Sequence, residues 1–376
     1  MKVKIFIIFI FILFILSGFS VSNTNIEDYY YVVALGIDES ENGNIILSIQ
    51  IAISSDDSSS ESSQSTSSVI YSVEASSLNS GISICNNYLS KKLNLSHCSA
   101  IIFSEEIAKS GINSYITTLA NNSEIRPTCK IIVCNTTANE ALEYVSNSDE
   151  NFSARLYEFI VDSADYTGYS ISTETLDFLY NINSENACST ATYAVISDEA
   201  LQDIGIAIFD EDKFLTNLSA TDSIAYSLIT NNLKTCNIEI DDPFFENETL
   251  DIIISPKENV KINVNTIDNI PYIEISNDFE CSISSMNEYY NYESSENIII
   301  IEEAINSYLE NICLNFLYEV SHEYNIDICN FRNVASSKYL TTEEFEKTNW
   351  DEIYKNSNFS INITSSIEYS GLLSSE

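Results

Sequence analysis

The chain has 376 residues, a length that predicts two or three domains with ample core. Sixteen Lys plus Arg against 56 Asp plus Glu leave a net charge of −40 spread along the chain, which excludes a nucleic-acid partner and a polybasic grip on anionic lipid. Hydrophobic residues at 44% still supply a folded core, while two histidines (His97, His322) and three arginines (Arg126, Arg155, Arg332) leave little for imidazole catalysis, zinc clusters or phosphate clamps.

Residues 1–4 carry Lys2 and Lys4 before the unbroken apolar run 5–16, the pattern of a secretory signal peptide. Read on to Val21, the same segment reaches about 17 residues, a marginal span, so residues 1–21 are expected to be a signal peptide or an N-terminal membrane anchor with the body exported. Runs 29–37 (YYYVVALGI) and 45–53 (IILSIQIAI) predict a hairpin. Its turn begins Asp38-Glu-Ser-Glu-Asn-Gly43 and faintly imitates a calcium loop, but Ile49 stands where the bidentate Glu belongs, so a polar turn is expected. Gly36 inside the first strand predicts a bulge or a close neighbour. Residues 54–68 contain no apolar side chain and predict a solvated loop.

Spaced apolar residues over 72–89 (Val73, Ala75, Leu78, Ile82, Ile84, Tyr88) predict an amphipathic helix. Strands at 99–103 and 130–133 then alternate with helices at 105–120 and 137–145, which predicts helices on a mixed or parallel sheet. After a more irregular stretch, strands are predicted at 188–196, 204–209, 250–255, 260–266 and 272–283, with turns at Asp210-Glu-Asp212 and Asp268-Asn269. A long helix follows at 299–324, and the alternation of Phe359, Ile361, Ile363, Ser365, Ile367 and Tyr369 predicts a final strand over 358–369. The fold class is α/β (α+β mixed), two to three domains, each a mixed sheet with packed helices. The expected domains are 22–197, with the Ser-rich loop 54–68, and 198–376, with a division near 285–298 left open.

No Walker loop, GxGxxG, HExxH, GxSxG or CxxC pair occurs. Neighbours on an extended chain point to opposite faces, so Ser96 or Cys98 beside His97 makes a poor nucleophile–base pair, and a structural His97 is expected. His322 falls near the end of the long helix, where a cation suits the dipole. Nine cysteines at irregular spacing read as buried free thiols; Cys129 and Cys134, five apart on a strand, point to opposite faces. No catalytic, cofactor-binding or metal-binding residue is assigned, and no cofactor is expected.

Several strings carry a resemblance: Tyr31-Val-Val-Ala-Leu-Gly-Ile-Asp38 followed by a turn and the run 45–52, Lys92-Leu-Asn-Leu-Ser-His97, Asn122-Ser-Glu-Ile-Arg126, Ile204-Gly-Ile-Ala-Ile-Phe-Asp-Glu-Asp-Lys-Phe214, Tyr324-Asn-Ile-Asp-Ile-Cys-Asn-Phe331, Trp350-Asp-Glu-Ile353 and Ser370-Gly-Leu-Leu373. In this order they resemble the Ger(x)C spore germination proteins, the C subunits of nutrient germinant receptors, over about residues 29–373. The resemblance implies a non-enzymatic subunit at the outer face of the inner spore membrane, partnered by a membrane-spanning and a transporter-like receptor subunit. Family members carry a lipid-accepting Cys after the signal, where this chain has Phe19 following Leu16-Ser-Gly18. An exported acidic surface-binding protein unrelated to germination is the alternative, and a hydrolase using Ser96 and His97 a weaker third.

Overall fold

The computed structural model describes residues 26–53, 67–147, 164, 166–184, 188–197, 200–285, 290–292 and 294–367. The expected signal or anchor at 1–21 and the loop residues 54–66 lie outside the described residues. Two sheets organise the chain, and the fold is the mixed α/β class expected.

The first sheet begins with β1 (Tyr29–Glu39) and β2 (Ile45–Ile53), the expected antiparallel hairpin, to which β3 (Ser67–Ala75) adds on the outer edge. On its other edge β1 pairs in parallel with the short β4 (Lys92–Asn94) and then with β5 (Ala100–Ser104). Parallel pairing continues through β6 (Lys130–Cys134) and β7 (Thr190–Ser197), and β8 (Ala200–Asp210) and β9 (Lys213–Asn217) close the sheet antiparallel. β5 and β6 are buried at every position, the pattern of strands covered on both faces. One face, with Ile101, Phe103, Ile131 and Val133, lies beneath helices α1 (Leu78–Tyr88), α2 (Glu105–Ser110), α3 (Asn113–Ala120) and, further along the chain, α5 (Thr175–Ile182). The opposite face, with Ala34, Ala100, Ile102 and Ile132, lies beneath α4 (Ala138–Asn147).

Gly36 explains how α4 comes so close. A Cβ there would stand 2.9 Å from Leu142 Cδ1 and 3.1 Å from Ala138 Cβ, so the missing side chain makes room for the helix against β1. The same contact is fastened by Asp38, whose carboxylate accepts from the Ala138 and Asn139 N–H groups at 2.6 and 3.0 Å and so caps the α4 N-terminus from 100 residues away. The carboxylate that resembled the first ligand of a calcium loop is thus a helix cap, while Ser40 and Asn44 of the same turn donate to Glu74 on β3.

The second sheet contains β10 (Cys236–Asp241), β11 (Thr249–Pro256), β12 (Lys261–Ile267), β13 (Ile270–Ser285) and β14 (Asn358–Ile367). β13 is its axis. β11 and β12 share one of its edges, and β14 runs parallel along the other. The left-handed backbone at Asp268 and Asn269, φ 53° and 61°, forms the two-residue turn between β12 and β13. One face packs against α6 (Ala220–Thr230) and the 25-residue α7 (Ser295–Glu319), which connects β13 to β14. Short helices α8 (Phe331–Ser336), α9 (Thr342–Glu346) and α10 (Trp350–Tyr354) complete that core. The outer edge of β14 is occupied as well: Ile363, Ser365 and Ile367 donate their N–H groups to Glu310, Asn306 and Glu302 of α7 at 3.0, 2.8 and 2.9 Å.

Two expectations are corrected. The helix expected over 72–89 begins only at Leu78, because Ser77 caps it by accepting from the Ser80 N–H at 3.2 Å, and Val69, Tyr71 and Val73 before it lie on strand β3. The helix expected over 105–120 is two helices. Gly111 breaks it at φ 107°, a backbone closed to side-chain-bearing residues.

Candidate functional site

The two halves meet where the turn between β8 and β9 reaches the helices of the first sheet. β8 and β9 follow the expected boundary at 197/198, yet they complete the first sheet, and β8 divides its side chains between the cores. Ala207 and Phe209 join the first, while Ile206 and Ile208 join the second beside α6. From the turn, Asp212 accepts the Ile112 N–H on its carbonyl at 3.0 Å and the Asn113 N–H on Oδ2 at 3.1 Å, holding the start of α3. A Cβ on Gly111 would lie 2.8 Å from that same Oδ2, so this glycine serves both the left-handed turn and the close approach. On the far side, the Cys188 N–H donates to Asn330 Oδ1 at 3.1 Å.

Between these ties lies a cleft of about 550 Å³. Its walls include Asp210, Glu211, Asp212, Asp327 and Asp351, opposed by Arg332. Asp327 organises the second-half wall. Its Oδ1 accepts the Phe331 N–H at 2.9 Å, and its Oδ2 accepts the Arg332 N–H at 2.7 Å and Trp350 Nε1 at 3.1 Å. One carboxylate therefore caps α8 and fastens α10 to it. The chain folds this way locally because Asn325, Asn330 and Asn349 take left-handed φ of 51°, 58° and 51°, a region Asn enters at lower cost than most residues. Arg332 Nη1 meets both oxygens of Asp351 at 3.0 and 3.2 Å, and its guanidinium lies 5.7 Å from the Phe345 ring centre.

The electrostatics do not suit nucleophilic chemistry. Burial pushes the Asp327 carboxyl up from 3.8 to about 6, against the lowering effect of its three donors and of Arg332. Burial, reinforced by Asp327, Asp210 and Asp351, pushes the Cys188 thiol up to about 12, so at neutral pH it is a thiol and not a thiolate. Among the described residues no group of three or more His, Cys, Asp or Glu side chains is placed to hold a metal ion.

The structure also places the residues weighed for catalysis. Ser96 Oγ lies 3.1 Å from His97 Nδ1, because residues 96 and 97 form a turn and not a strand, so the opposite-face expectation does not hold there. The Ser96 hydroxyl and N–H are both held by Asn94 Oδ1, and the imidazole packs edge-on against Tyr31 at 4.7 Å between ring centres. Among the described residues no carboxylate bonds to His97, the group that would orient it as a base. His322 Nδ1 lies 3.0 Å from the Tyr318 carbonyl, an acceptor, so that nitrogen carries the hydrogen. Cys129 and Cys134 contribute to the cores on opposite faces of the first sheet.

The family model described as spore germination protein N-terminal domain matches residues 22–196, and the model described as spore germination B3/GerAC like, C-terminal, matches residues 204–371. The chain belongs to the Ger(x)C spore germination family. Its function therefore lies in spore germination as a germinant receptor C subunit, and the reading as a surface protein unrelated to germination is set aside. No curated protein matches the chain in sequence. Among solved structures, the crystal structure of the GerBC protein is similar in fold, with a TM-score of 0.59 at 15% identity, covering 89% of this chain and 97% of that one. Asp327 and Trp350 stand in two of the family-like strings, and the structure joins those strings through the hydrogen bond from Trp350 Nε1 to Asp327.

Proposed function

We propose that this Ger(x)C chain is a non-enzymatic scaffold of a nutrient germinant receptor, held at the outer face of the inner spore membrane beside a membrane-spanning and a transporter-like subunit. The succession of the two family matches, 22–196 and then 204–371, carries the reading. The joint between the halves supports it. A scaffold transmits force only if its halves move together, and here β8 serves both cores, Asp212 ties the β8–β9 turn to α3, and Asn330 holds the Cys188 N–H across the joint. Among the described residues no helix is long and apolar enough to cross a membrane. Anchoring is assigned to the apolar run 5–16 and to the partner subunits, because Phe19 offers no thiol for a lipid thioether.

Affinity purification of the tagged chain from detergent-solubilised spore membranes should recover both partner subunits, and spores lacking the chain should not respond to that receptor's nutrient. Recovery of the chain alone, with an unchanged nutrient response in the deletion, sinks the scaffold reading. Palmitate labelling should leave the chain unlabelled while it sediments with membranes.

A further inference from the structure

Cys98 lies in the turn before β5 and Cys129 at the head of β6, two strands that pair in parallel. Both side chains are buried, at 2% and 1% exposure. Their sulfurs stand 3.7 Å apart, with the Cys129 thiol directed at Cys98 Sγ. The backbones carrying them are pinned: the Lys130 N–H donates to the Ser99 carbonyl at 2.9 Å, and Cys98 N–H to the Leu95 carbonyl at 3.0 Å. A disulfide needs Cα atoms about 4.4–6.8 Å apart and sulfurs at about 2.05 Å, and the β5–β6 register, with Ala100 opposite Lys130, sets Cys98 one residue out of step with Cys129 just ahead of the two strands. The sulfurs, already 3.7 Å apart, need to approach by less than about 2 Å to bond. Cys98 Sγ also lies 3.4 Å from the Ala100 carbonyl, whereas Cys134, at the far end of β6, has its sulfur at the Thr136 carbonyl, 3.2 Å away, and, among the described residues, no cysteine sulfur as partner.

We propose that Cys98 and Cys129 are a disulfide-forming pair, closed as the chain folds in an oxidising milieu. For its oxidant the proposal rests on the reading that the chain is exported. In the step, two S–H bonds break and one S–S bond forms. The two electrons and two protons pass to a disulfide of a thiol–disulfide exchange partner, which leaves as two thiols. Exchange precedes burial, because in the finished fold the neighbouring thiol and the enclosure push Cys129 well above its ordinary range and remove the thiolate that attacks. The bond spans a separation of 31 residues and encloses α2 and α3, the two helices that cover β5 and reach across to Asp212.

The full chain, purified in mild detergent, denatured and refolded in a reduced and oxidised glutathione buffer, is alkylated and digested with trypsin. Cleavage after Lys92, Lys109 and Lys130 puts Cys98 and Cys129 on separate peptides, 93–109 and 110–130, each with one cysteine. The expected product is these two peptides joined, two hydrogens lighter than their sum, and a melting temperature about 5 °C or more above that of the same sample in dithiothreitol. Cys129→Ser and Cys98→Ser should each lose that difference while melting as the reduced wild type does. Alkylation of both thiols after refolding, or Cys98 joined to other cysteines as often as to Cys129, overturns the proposal. Fractionation tests export separately. A joined pair in a chain retained in the cytoplasm refutes export alone, and an exported chain with both thiols reactive refutes the pair alone.

Discussion

Along β5, Ile101 and Phe103 face one core while Ala100 and Ile102 face another, whereas along β13 the residues at 273, 275, 277, 279 and 281 point inward and those at 272, 274, 276, 278 and 280 lie toward solvent. The first sheet is a wall between two helical layers; the second is a floor with helices on one side. Parallel central strands need crossovers, and crossovers bring helices to both faces, so the first sheet carries apolar runs. The second is mostly antiparallel and spares one face, which alternates with Asn, Ser, Asp and Glu. Part of the chain's acidity therefore sits on an open sheet and not only on helices and loops.

Four measurements test that contrast. Ile102→Asp buries an unpaired carboxylate in the wall's second core, and chemical unfolding should show a loss of about 4 kcal/mol or more, or no folded protein. A loss below about 1 kcal/mol would mean that α4 covers no real core. Trp350→Ala removes a ring that is 2% exposed, lies 6.0 Å from Phe345 and 5.9 Å from Tyr354, and donates to Asp327. The expected loss is about 3–5 kcal/mol in thermal unfolding, and a change near zero would show that the floor's end does not depend on this helix.

Asp327 gives the next effect. With its carboxyl raised from 3.8 to about 6, the fold prefers it protonated. This group's contribution to stability is therefore complete below about pH 4 and is lost as pH climbs through about 6, to the extent of roughly 3 kcal/mol. Trp350, the single tryptophan, donates to this carboxylate, so its fluorescence should titrate with a midpoint near 6; a midpoint below about 4.5 contradicts the burial argument. The smallest effect belongs to the open face. Ile253→Asp, at a position 39% exposed, should change stability by no more than about 0.5 kcal/mol, and a loss approaching that of Ile102→Asp would abolish the distinction between wall and floor.

Much of the wall and floor was legible because burial sets periodicity: the runs at 99–103 and 130–133 became β5 and β6, and the alternation expected over 358–369 matches β14 as far as the described residues reach. β3 was not, since Val73 and Ala75 fit a helical spacing continuing into α1 as well as a strand, and only the Ser77 cap marks where the helix starts. Gly111 carried the signal for the broken helix, a glycine inside an apolar-periodic run, but its left-handed φ follows from a tertiary contact with Asp212. The cleft was invisible for the same reason. Asp212, Asp327 and Arg332 have no characteristic spacing, because what gathers them is the packing of the halves and not the local chain. The Cys98 and Cys129 contact likewise depends on strand register, which sequence alone does not supply.

The stripe Glu302, Asn306 and Glu310 along β14 matters for what the molecule refuses to do. A four-residue step on a helix advances about 6.0 Å and a two-residue step on a parallel strand about 6.6 Å, so three rungs stay matched before the rows drift apart. Over that length the helix acts as a counterfeit neighbouring strand, offering side-chain oxygens where another backbone would offer carbonyls. Unpaired edge donors are where strand exchange and fibre growth begin. By spending these three on its own helix, the protein shuts this side to self-templating, and any neighbour it takes on here must be recognised by surface chemistry instead of by an added strand.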